Sequence, residues 1–211
     1  LPAVFYGPVA LDMETDGSLV RGKQTTYHPR KCQVTDKVPR DQLIVCATIA
    51  WRSPDGTLHT GYFNWSDPLH VHKFLEWVTA ATELWGQNLQ YDLKWVRHVL
   101  GPAAIPAWRP VRDLMVESFL WDDLQERGLK AVAWLYRIAT YAEDQKAVRA
   151  YTGPTDPALI PYAAKDAWAT YRGIEIARQW QRDKFSSHPV ASSKLTPERD
   201  QWFSDQVWSA T

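Results

Sequence analysis

Val9-Ala10-Leu11-Asp12-Met13-Glu14-Thr15 is a strand-like stretch in which two acids interrupt an otherwise apolar run. Alternate side chains of a strand share a face, so Asp12 and Glu14 project together. Two carboxylates that close repel unless a cation or a proton lies between them. The strand region is expected over Val4–Thr15, with Pro8 interrupting it and Asp16-Gly17 as a turn pair closing it. Further along, Leu43–Trp51 reads LIVCATIAW, a continuous apolar run rich in branched residues, as in a strand covered on both faces. Ser53-Pro54-Asp55-Gly56 is hairpin-turn chemistry, and Thr57–Asn64 returns as a third strand.

After that meander the apolar period changes. Asp67–Thr79 carries Leu69, Phe74, Trp77 and Val78 at helical spacing, Glu83–Trp85 reads as a short strand, and Gly86 allows a sharp exit. A helix beginning near Asn88 places Leu89, Leu93, Val96, Val99 and Leu100 on one face, with Asn88 as its N-cap. Pro106 and Pro110 end the unit, and Val111–Leu114 fits one more short strand. From Met115 the pattern is mostly helical, broken at Gly128 and Gly153-Pro154, with a last long helix over Leu159–Lys184. The expected fold is α/β: a ribonuclease H-like mixed sheet, a three-strand antiparallel meander plus parallel strands, flanked by helices.

The expected organisation is one domain over 1–184, a breaker-rich linker over 185–195, and the start of a further helix or domain over 196–211. Thr196-Pro197-Glu198 has helix-start chemistry, and Trp202, Phe203, Val207 and Trp208 would give that helix an apolar face. A terminal helix folding back is the competing arrangement. The chain opens at Leu1 with no initiator Met, as expected of a piece of something longer. Its 211 residues can bury roughly 70% of the unfolded surface, enough to fold without disulfides. Cys32 and Cys46 have neither metal-type nor framework spacing and read as reduced thiols. No apolar run approaches the ~20 residues that span a bilayer, and no secretion signal opens the chain. A cytoplasmic location, in a bacterial cell or a phage-infected host, is the expectation.

Formal charge balances at 24 basic and 24 acidic residues, so global charge does not advertise a nucleic-acid partner. Residues 21–41 are locally basic: Arg21, Lys23, Arg30, Lys31, Lys37 and Arg40 stand against only Asp36 and Asp41. That segment reads as a solvated loop or as an arm touching phosphates. His70 and His72 fall on different sides of a helix and read as surface residues. Trp51, Trp77 and Trp95 fit strand or helix packing.

Two further segments place acids where small or apolar residues are expected. In Gly86-Gln87-Asn88-Leu89-Gln90-Tyr91-Asp92, Asp92 falls on the buried stripe of the helix. In Tyr162-Ala163-Ala164-Lys165-Asp166 the i, i+4 spacing stacks Tyr162 on Asp166, and Ala163, Ala164 and Ala167 let that helix approach a sheet closely. Each segment alone is compatible with a surface pair or a helix-dipole partner. Together, four carboxylates and a phenol could surround one cavity, and hard oxygen ligands of this kind suit two divalent cations, Mg²⁺ or Mn²⁺. Such a pair would clamp both oxygens of an in-line phosphoryl displacement.

These residues resemble the three motifs of the DEDD exonuclease superfamily in its tyrosine-bearing subgroup: Asp12/Glu14/Thr15, Gly86/Asn88/Asp92 and Tyr162/Asp166, in the family's order. Within it, GQNLQYD, the stretch Asp113-Leu114-Met115-Val116-Glu117-Ser118 and Gly128-Leu129-Lys130-Ala131-Val132-Ala133 look similar to the proofreading domain of family A (pol I-like) DNA polymerases. The likeness covers about residues 8–182. It implies a 3′→5′ exonuclease acting on single-stranded or mispaired DNA by a two-metal-ion mechanism. It also implies a single-stranded DNA 3′ end as partner, a polymerase domain in the same chain or complex, and no membrane.

The resemblance implies roles as well. Asp12 would bridge two ions, Glu14 and Asp166 would complete the nucleophile-side ion, and Asp92 would hold the leaving-group ion through water. Tyr162 would orient the attacking water, and Thr15 and Asn88 would contact the terminal nucleotide. The family's apolar wedge, six residues after the first Asp, falls here on Ser18, so the adjacent Leu19 is the wedge candidate. Segment 21–41 is longer than the family's usual link. The alternatives are ribonuclease D-like trimming of RNA 3′ ends, whose members tend to carry an aromatic where Thr15 stands, and a catalytically silent DNA-binding exonuclease fold.

Overall fold

The computed structural model describes residues 7–15, 44–105, 109–122, 127–141 and 153–186. Leu19, the basic segment 21–41, Cys32 and the apolar face expected over 196–211 lie outside the described residues.

Five strands form one mixed sheet in the order β3-β2-β1-β4-β5: β1 Pro8–Thr15, β2 Ile44–Arg52, β3 Leu58–Asn64, β4 Glu83–Gly86 and β5 Val111–Asp113. The meander is antiparallel, with Asp12 opposite Thr48 and Thr48 opposite Tyr62. β4 joins β1 in parallel at Val9–Leu84, and β5 joins β4 in parallel at Leu84–Val111. This is the α/β, ribonuclease H-like arrangement expected. Pro8 does not interrupt a strand but opens one, where its missing N–H costs no ladder bond.

Among the described residues the helices are α1 Pro68–Ala80, α2 Leu89–Leu100, α3 Leu114–Asp122, α4 Leu129–Leu135 and α5 Leu159–Ser186. α1 begins where Asp67 accepts the Leu69 N–H at 2.9 Å, with Pro68 at the first position. The strand expected over Val111–Leu114 stops at Asp113, and Leu114 opens α3. α5 runs two residues past Lys184, into the segment read as a linker. No described helix is long and apolar enough to cross a membrane.

Period-two alternation in β1 divides the molecule into layers. Val9, Leu11 and Met13 face a core made with Phe74, Trp77 and Val78 of α1 and Leu89, Leu93 and Trp95 of α2. Ala10 faces the other way, onto Ala167, Tyr171 and Ile174 of α5 and Val132 of α4. Both faces of β2 are buried, as its unbroken apolar run requires. Trp51, Trp77 and Trp95 are all core residues. His70 is half-exposed and accepts the Asn64 N–H on Nδ1, while His72 is exposed and pairs with Glu76. Midway along α5, Glu175 binds Arg52 of β2 bidentately, at 2.9 and 2.6 Å, pinning helix to sheet.

Candidate metal centre

Asp12 and Glu14 follow Ala10 on the face of β1 that α5 covers, near the strand's carboxyl end. Crevices at the carboxyl ends of parallel strands are where α/β sheets present their functional groups. α5 approaches closely because Ala163 and Ala167, fully buried, turn no bulk toward the strands. The Thr48 hydroxyl, on the strand residue paired with Asp12, donates to the Ala163 carbonyl at 3.0 Å. Asp166, less than one turn further on, is thereby set against β1. Ligand oxygens of Asp12, Glu14 and Asp166 lie within 4.8 Å of one another. The first and third sequence segments therefore converge.

Asp92 approaches from the opposite layer. It is 3% exposed, on the first turn of α2, and accepts the backbone N–H of Met13, the residue between Asp12 and Glu14. Its oxygens are not within the tight group of three. It acts on that group through space, adding negative charge at Asp12.

Burial above all pushes the Asp12 carboxyl well above the usual range, and the charges of Glu14, Asp166 and Asp92 push it further. Glu14 is pushed up to about 7, by burial first and then by Asp166. Burial also raises Asp92, with Asp113 adding to it. Carboxylates held this way are short of opposite charge. A divalent cation meets that need with oxygen ligands of the right hardness, so the donor set fits Mg²⁺ or Mn²⁺.

Tyr162 stands one turn before Asp166, its ring 6.3 Å from that of Tyr141. Thr15 Oγ1 lies 2.9 Å from the Tyr91 hydroxyl, which joins the end of β1 to α2. Asn88 corrects an expectation. It adopts a left-handed conformation (φ 56°, ψ 43°), and its side chain makes no capping bond. The cap comes from Asp113, whose carboxylate accepts the N–H groups of Asn88 at 2.9 Å and Leu89 at 2.8 Å. Asn tolerates the left-handed region better than most residues, which explains its presence without a capping role. Gly86 is required by packing, since a Cβ there would lie 2.6 Å from Leu89 Cδ1.

Four site residues escaped the reading of single motifs. Thr48 and Asp113 position the two acid-bearing helices. Tyr141 hydrogen-bonds the Asp166 carboxylate, and burial together with that charge raises its phenol. Lys130 opposes the carboxylates' mutual repulsion at both Asp12 and Glu14. The segment around Lys130 drew notice only as part of a likeness. Thr48 sits inside an apolar run, and that misplaced hydroxyl was the one available signal. A cleft of about 630 Å³ lies elsewhere, at the Pro8 end of β1 beside Trp85, Arg172 and Arg178.

Fold and acids together define an α/β protein of ribonuclease H-like fold that carries a cluster of three carboxylates. No family model matches the chain, and no curated protein matches it in sequence. Solved structures do match. Brucella melitensis NrnC superposes with a TM-score of 0.59 at 18% identity, over 97% of this chain and 83% of that one. The same protein with bound Mg²⁺ gives 0.56 at 18% identity over the same shares. A structure described as the apo form of a nuclease gives 0.54 at 18% identity, over 97% and 82%.

Proposed function

We propose that the chain is a metal-dependent 3′→5′ exonuclease trimming single-stranded nucleic-acid ends, with RNA 3′ ends as the favoured substrate. The convergence of Asp12, Glu14 and Asp166 within 4.8 Å carries the reading. The likeness in fold to NrnC favours ribonuclease D-like RNA trimming over DNA proofreading.

Divalent cations, when bound, would neutralise the carboxylates and stabilise the charge of a phosphoryl displacement. Asp12, Glu14 and Asp166 would hold the ion on the nucleophile side. Asp92, which accepts the Met13 N–H, would hold the one on the leaving-group side. Tyr162 would orient the water that attacks the terminal phosphodiester. Thr15 and Asn88 would contact the terminal nucleotide, with Leu19 as the candidate wedge. A terminal phosphate must descend to half-buried acids, which a paired end does only after unpairing. Single strands are therefore the natural partner.

A DNA reading, proofreading beside a polymerase domain, has one observation of its own. Thr15 is small where RNA-trimming relatives tend to carry an aromatic, and its hydroxyl is engaged by Tyr91 at 2.9 Å.

The test is digestion of matched 5′-labelled RNA and DNA strands with Mg²⁺ or Mn²⁺. Stepwise shortening from the 3′ end, faster on RNA, is expected. Faster shortening of DNA would favour the second reading. Internal cuts, or no shortening of either strand, would overturn both.

A further inference from the structure

Lys130 is the second residue of α4 and half-buried. Its Nζ stands 5.2 Å from the centroid of the Tyr162 ring and 5.7 Å from that of Tyr141. Its charge is close enough to Asp12 and Glu14 to favour their ionised forms. Among the described residues it forms no hydrogen bond and no salt bridge; ring faces alone hold it. Lys165, over the Tyr141 ring, contrasts with it. Lys165 Nζ lies 4.8 Å from the Tyr141 ring and donates to the Thr140 carbonyl at 2.6 Å, so its ammonium serves the backbone.

A lysine serving only as counter-charge to carboxylates would close to contact, as Arg52 does with Glu175 at 2.6 Å. Lys130 does not. Charge counting points the same way. Four carboxylates would balance two divalent cations, so those four acids do not need the ammonium beside Tyr162 as their counter-charge. A phosphodiester brings one negative charge to that place. Lysine suits the task, being a compact point charge on a flexible stem with three donors.

We propose that Lys130 is a substrate-holding residue whose ammonium takes a non-bridging oxygen of the backbone phosphate drawn to the acidic cluster. The inference rests on the nuclease reading above and adds to it a contact made by this chain's own cation.

Its test compares Lys130→Met, which keeps the apolar stem, with Lys130→Arg, which keeps the charge. Three quantities are read: kcat and KM on a labelled single strand, the salt dependence of strand binding, and Mn²⁺ binding to substrate-free protein by calorimetry. Lys130→Met should raise KM about tenfold or more, the loss expected of a charge-assisted contact. It should also flatten the salt slope by about 0.7, one phosphate contact on a single strand. Substrate-free Mn²⁺ binding should tighten, because a repelling charge has gone. Lys130→Arg should retain most of the slope.

A structural lysine would behave otherwise, with weaker Mn²⁺ binding, a lower Tm and an unchanged slope. That pattern, or unaltered strand binding, would overturn the proposal. If the unsubstituted protein cleaves no strand, the nuclease reading fails on its own, and the salt slope of strand binding still decides the role of Lys130.

Discussion

Asp113 Oδ2 accepts the Leu89 N–H at 2.8 Å, so a strand-end carboxylate closes a helix 24 residues away in sequence. Its Oδ1 accepts from Asn88 and from Met115, each at 2.9 Å, so one side chain serves the first turns of α2 and α3. α2 carries Asp92, and the setting of that acid depends on this cap. Removing Asp113 would leave buried N–H groups unpaired, at about 1–3 kcal/mol each when nothing replaces the bond. Asp113→Ala is expected to cost about 3 kcal/mol or more in urea unfolding and to lower kcat further than it raises KM. Asp113→Asn, keeping one acceptor, should fall between. A variant with unchanged urea midpoint would show that water or backbone takes over the cap.

Thr48 tests the height of α5 against the sheet. Thr48→Val keeps the shape and removes the donor to the Ala163 carbonyl. The stability loss should be modest, about 1 kcal/mol. The effect on Mn²⁺ affinity should be larger than that loss implies, because the distance from Asp166 to Asp12 rests on this contact. Equal, small effects on melting and on metal titration would reduce Thr48 to ordinary packing.

Proton competition sets a pH dependence. Glu14, held at about 7 without a metal, must lose its proton to serve as a ligand. Metal affinity is therefore expected to fall about tenfold per pH unit below 7, and more steeply once Asp12, also raised, joins it. For the metal-free protein the sign runs the other way. A carboxyl raised above its unfolded value of 4.5 adds stability fully present below 4.5 and lost as pH rises through about 7. Melting without metal should therefore drop between pH 5 and 8, and Mg²⁺ should restore it. Flat melting curves across that range would contradict the shared burial of these acids.

Function and stability should oppose each other at the cluster. Asp12→Asn removes one of several buried like charges, so the metal-free protein is expected to melt higher at pH 8, by about 1 kcal/mol or more. The same change should slow strand shortening by roughly 10²–10⁴-fold, the loss of several kcal/mol of transition-state stabilisation. A variant that melts higher yet trims at the original rate would remove Asp12 from the site.

Much of this was legible in the chain. The pairing of Asp12 with Glu14 needs only the two-residue period of a strand, and the stacking of Tyr162 on Asp166 needs only the helical repeat. Ala163 and Ala167 announced a close helix, and the unbroken run of β2 announced burial on both faces. Asn88 shows where local reading ends. Its residue type fits a cap, but Asp113 had already filled that place from another strand, and no local pattern records a partner so distant in sequence. Tyr141 and Lys130 were equally silent, since neither sits in an arrangement that its neighbours make unusual.

The sequence by itself determined which chemical groups this protein owns and how each is spaced within its own strand or helix, because backbone geometry sets those periods locally. Only the tertiary structure decided that Asp12, Glu14 and Asp166 come within 4.8 Å, that the charge of Asp92 acts on Asp12 from the other layer, and that a lysine stands near them. Those distances follow from strand order β2-β1-β4 and from helices seated on both faces. They are the summed result of many weak contacts between remote segments, none of which is written at any one position.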